Sequence, residues 1–199
     1  MNTPNKLTVL RIVLVPFFVL FLLLPNLPHH YLIAGLIFGA AAITDHFDGA
    51  LARKNGQITD FGKFADPLAD KILVISAFLC FIQLDLVTSI PVIVILFREF
   101  MVTSIRLVGA GKGEVIAANL WGKAKTVSQI VAILVVIVLQ YANELVELGW
   151  ISLGAAQANT LYVITMIIGQ TVVWICTALT VVSGAIYLWD NRALVKNAK

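Results

Sequence analysis

Long apolar runs, separated by short polar or turn-forming stretches, dominate this sequence. Each run is close to the length of about 20 residues that an α-helix needs to cross a bilayer. Proline, glycine, asparagine or aspartate marks the breaks between the runs. The pattern therefore predicts six membrane-spanning helices, at residues 8–24, 31–52, 67–84, 87–107, 124–142 and 160–188. The more polar stretch at 143–160 is predicted to be a long loop.

The composition strengthens this interpretation. Of the 199 residues, 60% are hydrophobic and 13% are charged, and the mean hydropathy is +0.95. A soluble domain of this length needs more charge to cover its surface. We therefore predict one all-α, integral-membrane catalytic domain over residues 1–199. The net charge of +3 is too small to indicate a nucleic-acid-binding surface, and no nucleic-acid partner is expected.

Lysine and arginine are distributed unevenly among the predicted connections. They flank the first helix, lie between helices two and three and between four and five, and follow helix six. The connections around 25–30, 85–88 and 143–159 contain neither residue. Because cytoplasmic loops of membrane proteins are enriched in lysine and arginine, both termini are predicted to be cytoplasmic. The protein is thus expected to be a multi-pass protein of the cell's cytoplasmic membrane.

Four aspartates interrupt apolar sequence on either side of the connection between the predicted second and third helices: Asp45, Asp48, Asp66 and Asp70. A carboxylate in hydrocarbon costs roughly 2.5–3.5 kcal/mol even on a lenient insertion scale, and neighbouring carboxylates also repel one another. Spacings of three and four residues place each pair on one helix face, and antiparallel helices would bring the two pairs together. Such oxygen ligands suit magnesium, manganese or calcium, and four carboxylates suffice for a pair of metal ions.

Small and phosphate-binding residues accompany the aspartates. Gly49, Ala52 and Gly62 leave room for a close helix approach or for a ligand against the backbone. Arg53 follows Asp48 by a little over one helical turn, where its guanidinium would bind a phosphate through two N–H groups. Thr59, in the connecting loop, offers a hydroxyl near the same opening.

The pattern Asp-x2-Asp-Gly-x2-Ala-Arg-x8-Gly-x3-Asp-x3-Asp is complete over Asp45 to Asp70 and resembles the signature of the CDP-alcohol phosphatidyltransferases. This resemblance implies a six-helix membrane enzyme, a homodimer, with a cavity that faces the cytoplasm. It also implies that Asp45, Asp48 and Asp66 bind a pair of Mg²⁺ or Mn²⁺ ions. Asp70 would be both a metal ligand and the base that deprotonates the acceptor alcohol.

The same resemblance suggests the residues that hold the CDP-lipid. The amino-terminal segment 5–12 looks like the family's entry into the first helix. The implied CDP-lipid-binding residues are Thr8, Arg11, Gly49, Ala52, Arg53, Thr59 and Gly62.

Basic residues further along the chain bear on the acceptor alcohol. Arg98, Arg106, Lys123 and Lys125 are predicted to gather around the phosphate of a small dianion. The segment that contains them resembles the bacterial branch of the family that makes phosphatidylglycerol phosphate. The resemblance implies CDP-diacylglycerol as donor, sn-glycerol 3-phosphate as acceptor and CMP as the second product.

Other interpretations of these residues stay open. The four basic residues also fit the positive-inside rule and pairing with anionic membrane lipids, and Glu99 is a candidate structural partner for Arg98. The acceptor has alternatives within the same chemistry: an inositol phosphate, or phosphatidylglycerol as in cardiolipin synthesis. A different class is a cation or proton carrier, because carboxylates within membranes often mark ion pathways. Aromatic residues at predicted helix ends, such as Tyr187, are expected to anchor at the membrane interface.

Overall fold

Six α-helices make up the computed structural model, which describes the backbone of residues 3–55, 60–112 and 120–192, and side chains over 5–44, at Ala65, and over 68–112 and 120–192. The helices are α1 (Thr3–Leu22), α2 (His30–Asn55), α3 (Asp60–Gln83), α4 (Ser89–Gly111), α5 (Leu120–Glu147) and α6 (Ala155–Asp190). The predicted number and type of elements are confirmed.

Helix α1 packs along both α2 and α3. Its buried side repeats every three or four residues through Val15, Phe18 and Leu22, as a helix with one packed face requires. Phe18 meets Phe38 of α2, with ring centroids 5.5 Å apart. Because the connection between α1 and α2 is short, the two helices run antiparallel.

The remaining helices close the bundle through α5. Helix α5 packs against α2 and α6, and α6 in turn packs against α4. The apolar core draws side chains from all six helices. Large apolar side chains such as Leu36, Phe97 and Ile167 also lie exposed on the outer surface. This distribution suits a protein whose surrounding solvent is lipid.

Three described helical segments are long and apolar enough to cross a membrane: Asn5–Leu22, Leu120–Glu147 and Ala155–Asp190. His30–Thr44, the part of α2 whose side chains the structure describes, is a shorter apolar segment.

The predicted long loop at 143–160 is wrong. Helix α5 continues to Glu147 and α6 begins at Ala155, which leaves only a short connection. Asn143 is buried and donates hydrogen bonds to Thr165 Oγ1 at 2.9 Å and to Gln140 Oε1 at 3.1 Å. Asn143 is therefore satisfied inside the helical packing instead of facing water.

Glu144 connects the end of α5 to the start of α2. Its buried carboxylate accepts hydrogen bonds from the backbone N–H of His30 at 2.9 Å and of Tyr31 at 3.3 Å. The first N–H groups of a helix have no partner within the helix, and a carboxylate there is also favoured by the helix dipole. Glu144 is thus an N-cap supplied by a distant helix. His30 is itself buried against this cap.

Replacing Glu144 should destabilise the fold measurably. We expect Glu144→Ala to lower the free energy of unfolding by about 1–3 kcal/mol, because two N–H groups at the start of α2 lose their acceptor. Thermal unfolding in detergent measures the change. Glu147→Ala is the matched control, since Glu147 is exposed one turn further along the same helix. Equal stability of the two variants would contradict the capping role.

Candidate active site

The four aspartates of the sequence motif lie on two consecutive helices. Asp45 and Asp48 belong to the second half of α2, and Asp66 and Asp70 belong to the first half of α3. The structure describes the side chain of Asp70 alone among them. The predicted contacts of the other three acids fall outside the described side chains, as do those of Gly49, Ala52, Arg53, Thr59 and Gly62.

The buried side of α1 changes from apolar to polar toward its amino end. From Val15 to the carboxyl end of α1 this side is apolar. Toward the amino end, Asn5, Thr8 and Arg11 continue the spacing as buried polar groups. Buried polar groups are retained only where hydrogen bonds compensate their lost hydration. The amino end of α1 therefore faces a polar region of the bundle.

Arg11 pairs directly with Asp70. Its Nη1 lies 2.5 Å from Asp70 Oδ1, and the arginine side chain is 0% exposed while that of Asp70 is 48% exposed. A buried guanidinium needs an anionic partner because an unpaired charge in an apolar interior costs several kcal/mol. Asp70 thus combines a buried partner on one side with access to ligands on the other.

The antiparallel packing of α1 on α2 places the acidic segment of α2 level with the polar amino end of α1. Phe18 of α1 lies against Phe38 of α2. Arg11 comes seven residues before Phe18, and Asp45 comes seven residues after Phe38. Since both helices rise by the same distance per residue, the backbone of Asp45 lies level with that of Arg11. Arg11 in turn contacts Asp70. The amino end of α1 therefore lies beside the acidic segments of both α2 and α3.

A second polar cluster connects α4, α5 and α6. Arg98 Nη1 donates to Glu99 Oε1 at 3.1 Å, and its Nη2 donates to Ser183 Oγ at 2.9 Å. Lys125 donates to the same oxygen of Glu99 and lies 3.4 Å from Gln129 Oε1. Arg98, Lys125, Gln129 and Ser183 are all buried. The structure thus brings together two of the four predicted acceptor-binding residues.

Lys71 connects this cluster to the acidic region. It follows Asp70 in α3 and donates to Thr103 Oγ1 of α4. Thr103 Oγ1 also donates to the backbone carbonyl of Glu99 at 2.7 Å. Two consecutive residues of α3 therefore touch α1 and α4 respectively. Sequence reasoning did not identify Lys71, because one lysine after an aspartate at a helix start has no distinctive spacing.

The other two predicted acceptor-binding residues are not buried. Arg106 is exposed, with its Nε 3.2 Å from Tyr187 Oη and its guanidinium over the tyrosine ring at 5.7 Å. Lys123 is exposed at the start of α5. Tyr187 is 2% exposed, so its expected role as an interfacial anchor is wrong.

A regular polar stripe in α6 would have revealed part of this site from sequence. Thr177, Thr180, Ser183 and Tyr187 recur every three or four residues in an otherwise apolar helix, and all four are buried. Such a period places them on one face. Ser183 and Tyr187 of this stripe hold Arg98 and Arg106.

The donor chemistry of the acidic motif fits a hard divalent cation, since carboxylate oxygens are preferred ligands of magnesium and manganese. Asp70, half exposed beside the polar end of α1, is accessible to such an ion. Among the side chains that the structure describes, no three His, Cys, Asp or Glu residues come together as a ligand set. The other three predicted ligands lie outside that part of the chain.

Residues 1–182 match the CDP-alcohol phosphatidyltransferase family, and the chain belongs to this family. The family is a generally metal-dependent class of membrane enzymes, which agrees with the acidic motif and the apolar helices.

Similar proteins cover nearly the whole chain. A protein of Bacillus subtilis (strain 168) is 38% identical over 99% of this chain and 98% of its own length. A protein of Rickettsia bellii (strain RML369-C) is 33% identical over 94% of this chain and 93% of its own. A Pseudomonas fluorescens protein is 35% identical over 87% of this chain and 86% of its own length. Each of the three is named CDP-diacylglycerol–glycerol-3-phosphate 3-phosphatidyltransferase.

Gly184 of α6 makes room for Arg98. A Cβ atom at this position would lie 2.9 Å from Arg98 Cγ, and Arg98 has little freedom to move because Ser183 and Glu99 hold its guanidinium. We expect Gly184→Ala to destabilise the protein by about 1–3 kcal/mol through overpacking, measured as thermal unfolding in detergent.

Gly169→Ala in the same helix is the matched control. A Cβ atom there would make an ordinary contact of 3.6 Å with Val136 Cγ2, so alanine should be neutral or stabilising by up to about 1 kcal/mol. Similar effects of the two substitutions would refute the tight fit at Gly184.

Proposed function

We propose that this protein transfers a phosphatidyl group from CDP-diacylglycerol to sn-glycerol 3-phosphate, giving phosphatidylglycerol phosphate and CMP. The observation that carries the proposal is the position of Asp70 and Lys71. Asp70 joins the acidic motif that defines the family, and Lys71, the next residue, joins the buried basic cluster of α4 and α5. The proposed base for the alcohol and the proposed cationic groups for an acidic acceptor would thus meet on adjoining sides of α3. The names of the similar proteins agree with this reaction.

In the proposed reaction, the acceptor hydroxyl oxygen attacks the phosphorus attached to diacylglycerol. The bond from that phosphorus to the oxygen of CMP breaks, and Asp70 accepts the hydroxyl proton. A carboxylate in this position raises the nucleophilicity of an alcohol that is otherwise protonated at neutral pH. Arg11 holds Asp70 in place and, being fully buried, limits the directions in which the carboxylate can turn.

Asp45, Asp48, Asp66 and Asp70 would together hold two divalent ions, Mg²⁺ or Mn²⁺. When bound, such ions would neutralise the pyrophosphate and the departing CMP. Thr8 and Arg11 at the polar end of α1, with the small residues and Arg53 of the motif, would hold the CDP-lipid.

The acceptor phosphate is assigned to the buried Arg98 and Lys125, with the exposed Arg106 and Lys123 at the entrance. Buried cations favour an anionic acceptor because water screens them little. This charge favours glycerol 3-phosphate or an inositol phosphate over a neutral alcohol. Near full-length similarity to glycerol-3-phosphate enzymes favours the first of these.

A CMP-release assay tests the reaction. With purified protein, Mg²⁺ or Mn²⁺, and CDP-diacylglycerol, sn-glycerol 3-phosphate should release CMP, whereas an inositol phosphate, phosphatidylglycerol or serine should not. Asp70→Asn should lower turnover by roughly 10²–10⁴-fold, the usual contribution of a general base.

Asp85→Asn is the control for that substitution. Asp85 is exposed in the connection between α3 and α4 and has a positive φ of 56°, which asparagine tolerates well. The Asp85→Asn variant should keep the activity of the unmodified chain. Absence of glycerol-phosphate-dependent CMP release, or equal release with the other acceptors, would refute the proposed reaction.

The membrane arrangement is part of the same proposal. All six helices would cross the cytoplasmic membrane, with both termini and the acidic motif on the cytoplasmic side and two chains forming a homodimer. The distribution of lysine and arginine supports this orientation.

Single cysteines test the orientation, because the native Cys80 and Cys176 are buried. We expect a membrane-impermeant maleimide to label Asn26→Cys and Ser152→Cys in intact cells, since both positions are exposed in the connections assigned to the outer side. Lys112→Cys, at the exposed end of α4, should be labelled only after permeabilisation. The reverse pattern would invert the proposed orientation.

A further inference from the structure

One carboxylate oxygen serves two buried cations in the α4–α6 cluster. Glu99 Oε1 accepts a hydrogen bond from Lys125 and another, at 3.1 Å, from Arg98. The Glu99 side chain is 12% exposed. Hydrogen bonds between ionised groups are strong and directional. Glu99 therefore fixes the positions of the ammonium and the guanidinium relative to each other.

The opposite sides of both cations are also held. Arg98 reaches Ser183 at 2.9 Å, and its side chain passes close to Gly184. Lys125 lies 3.4 Å from Gln129 Oε1. The two cationic heads are therefore oriented before any ligand binds, which lowers the entropic cost of binding one.

The cluster nevertheless has an excess of positive charge and of donors. Among the groups that the structure describes here, the cations Lys71, Arg98 and Lys125 lie around the carboxylate of Glu99. The nearby carboxylate of Asp70 is already paired with Arg11. Arg98 Nε and Gln129 Nε2 are buried and have no hydrogen-bond partner among the described residues. A buried donor without an acceptor is unfavourable. An incoming anion with several acceptor oxygens would balance the excess positive charge and would accept hydrogen bonds from these donors.

We propose that Glu99 is a positioning residue for the acceptor: it aligns Lys125 and Arg98 to bind the phosphate of a small dianionic phosphate monoester, without itself touching the reacting atoms. The inference rests on the proposed function and extends it to the acceptor's recognition. A phosphate monoester carries nearly two negative charges at neutral pH, since its second pKa is about 6. That negative charge matches the excess positive charge of the cluster.

The backbone of Glu99 aligns a third cation in the same way. Its carbonyl oxygen accepts from Thr103 Oγ1 at 2.7 Å, and Thr103 in turn accepts from Lys71. Because Asp70 is the next residue along α3, a phosphate held by this cluster lies close to the proposed base. The acceptor's hydroxyl and its phosphate would thus be bound from adjoining sides of one helix.

A purely structural ion pair predicts different kinetics. Loss of a structural pair would lower stability and the amount of active enzyme, and it would leave both KM values unchanged. Loss of a positioning residue raises the KM of the acceptor and spares the KM of the donor. The ratio of the two KM values therefore separates these roles.

The experiment compares Glu99→Gln, Glu99→Asp and the control Glu147→Gln in the CMP-release assay, varying glycerol 3-phosphate and CDP-diacylglycerol separately. We expect Glu99→Gln to raise the KM for glycerol 3-phosphate about tenfold or more, because the two cations lose their common anion. The KM for CDP-diacylglycerol should stay within about twofold, Glu99→Asp should be intermediate, and Glu147→Gln should match the unmodified chain. Thermal stabilisation by glycerol 3-phosphate, with inorganic phosphate as a second probe, should weaken in the same order.

The outcomes are distinct. Unchanged acceptor KM in a folded Glu99→Gln, or equal changes in both KM values, would overturn the positioning role. If Glu99→Gln fails to fold, Glu99→Asp decides by the same two measurements. If the unmodified chain itself shows no glycerol-phosphate-dependent CMP release, the proposed function has failed rather than the role of Glu99 alone.

Discussion

A charged group inside an apolar helical bundle is stable only where an opposite charge or a hydrogen-bonding group meets it, because little water is present to solvate it. Arg11 meets Asp70, and Glu99 meets both Arg98 and Lys125. The Arg11–Asp70 pair joins α1 to α3, and the Glu99–Lys125 pair joins α4 to α5, whereas Arg98 and Glu99 are neighbours on α4. Apolar packing has no preferred direction, whereas these polar contacts are directional and fix how the helices that they join are turned toward each other. The same contacts place a half-exposed carboxylate beside a group of fixed cations.

Much of the fold could be predicted from the sequence, because an apolar run of membrane-spanning length leaves few alternatives to a helix. All six helices were predicted, although their ends were not. The error at 143–160 has a physical reason: Asn143 and Glu144 are polar but buried, and their partners lie on α6 and at the start of α2. Polarity alone does not distinguish a solvated loop from a hydrogen-bonded helix interior.

The candidate site was predictable to the extent that its residues form a local pattern. The acidic motif lies within 26 residues, from Asp45 to Asp70, and indicated the family that the comparison confirmed. The pairing of Arg11 with Asp70 spans 59 positions, and nothing in the local sequence around either residue specifies it. The same holds for Lys71 and Thr103. Among the predicted acceptor residues, burial separated Arg98 and Lys125 from Arg106 and Lys123, a distinction that charge and spacing alone did not provide.

The adjacency of Asp70 and Lys71 constrains how the chain can evolve. Consecutive side chains on an α-helix are about 100° apart around its axis, and here one points to α1 and the other to α4. Inserting or deleting a single residue between Lys71 and the packed core positions of α3, which begin at Leu73, would turn both groups away from their partners at once. Natural variation in length should therefore accumulate in connections such as 23–29 and 148–154 and be absent from the first half of α3.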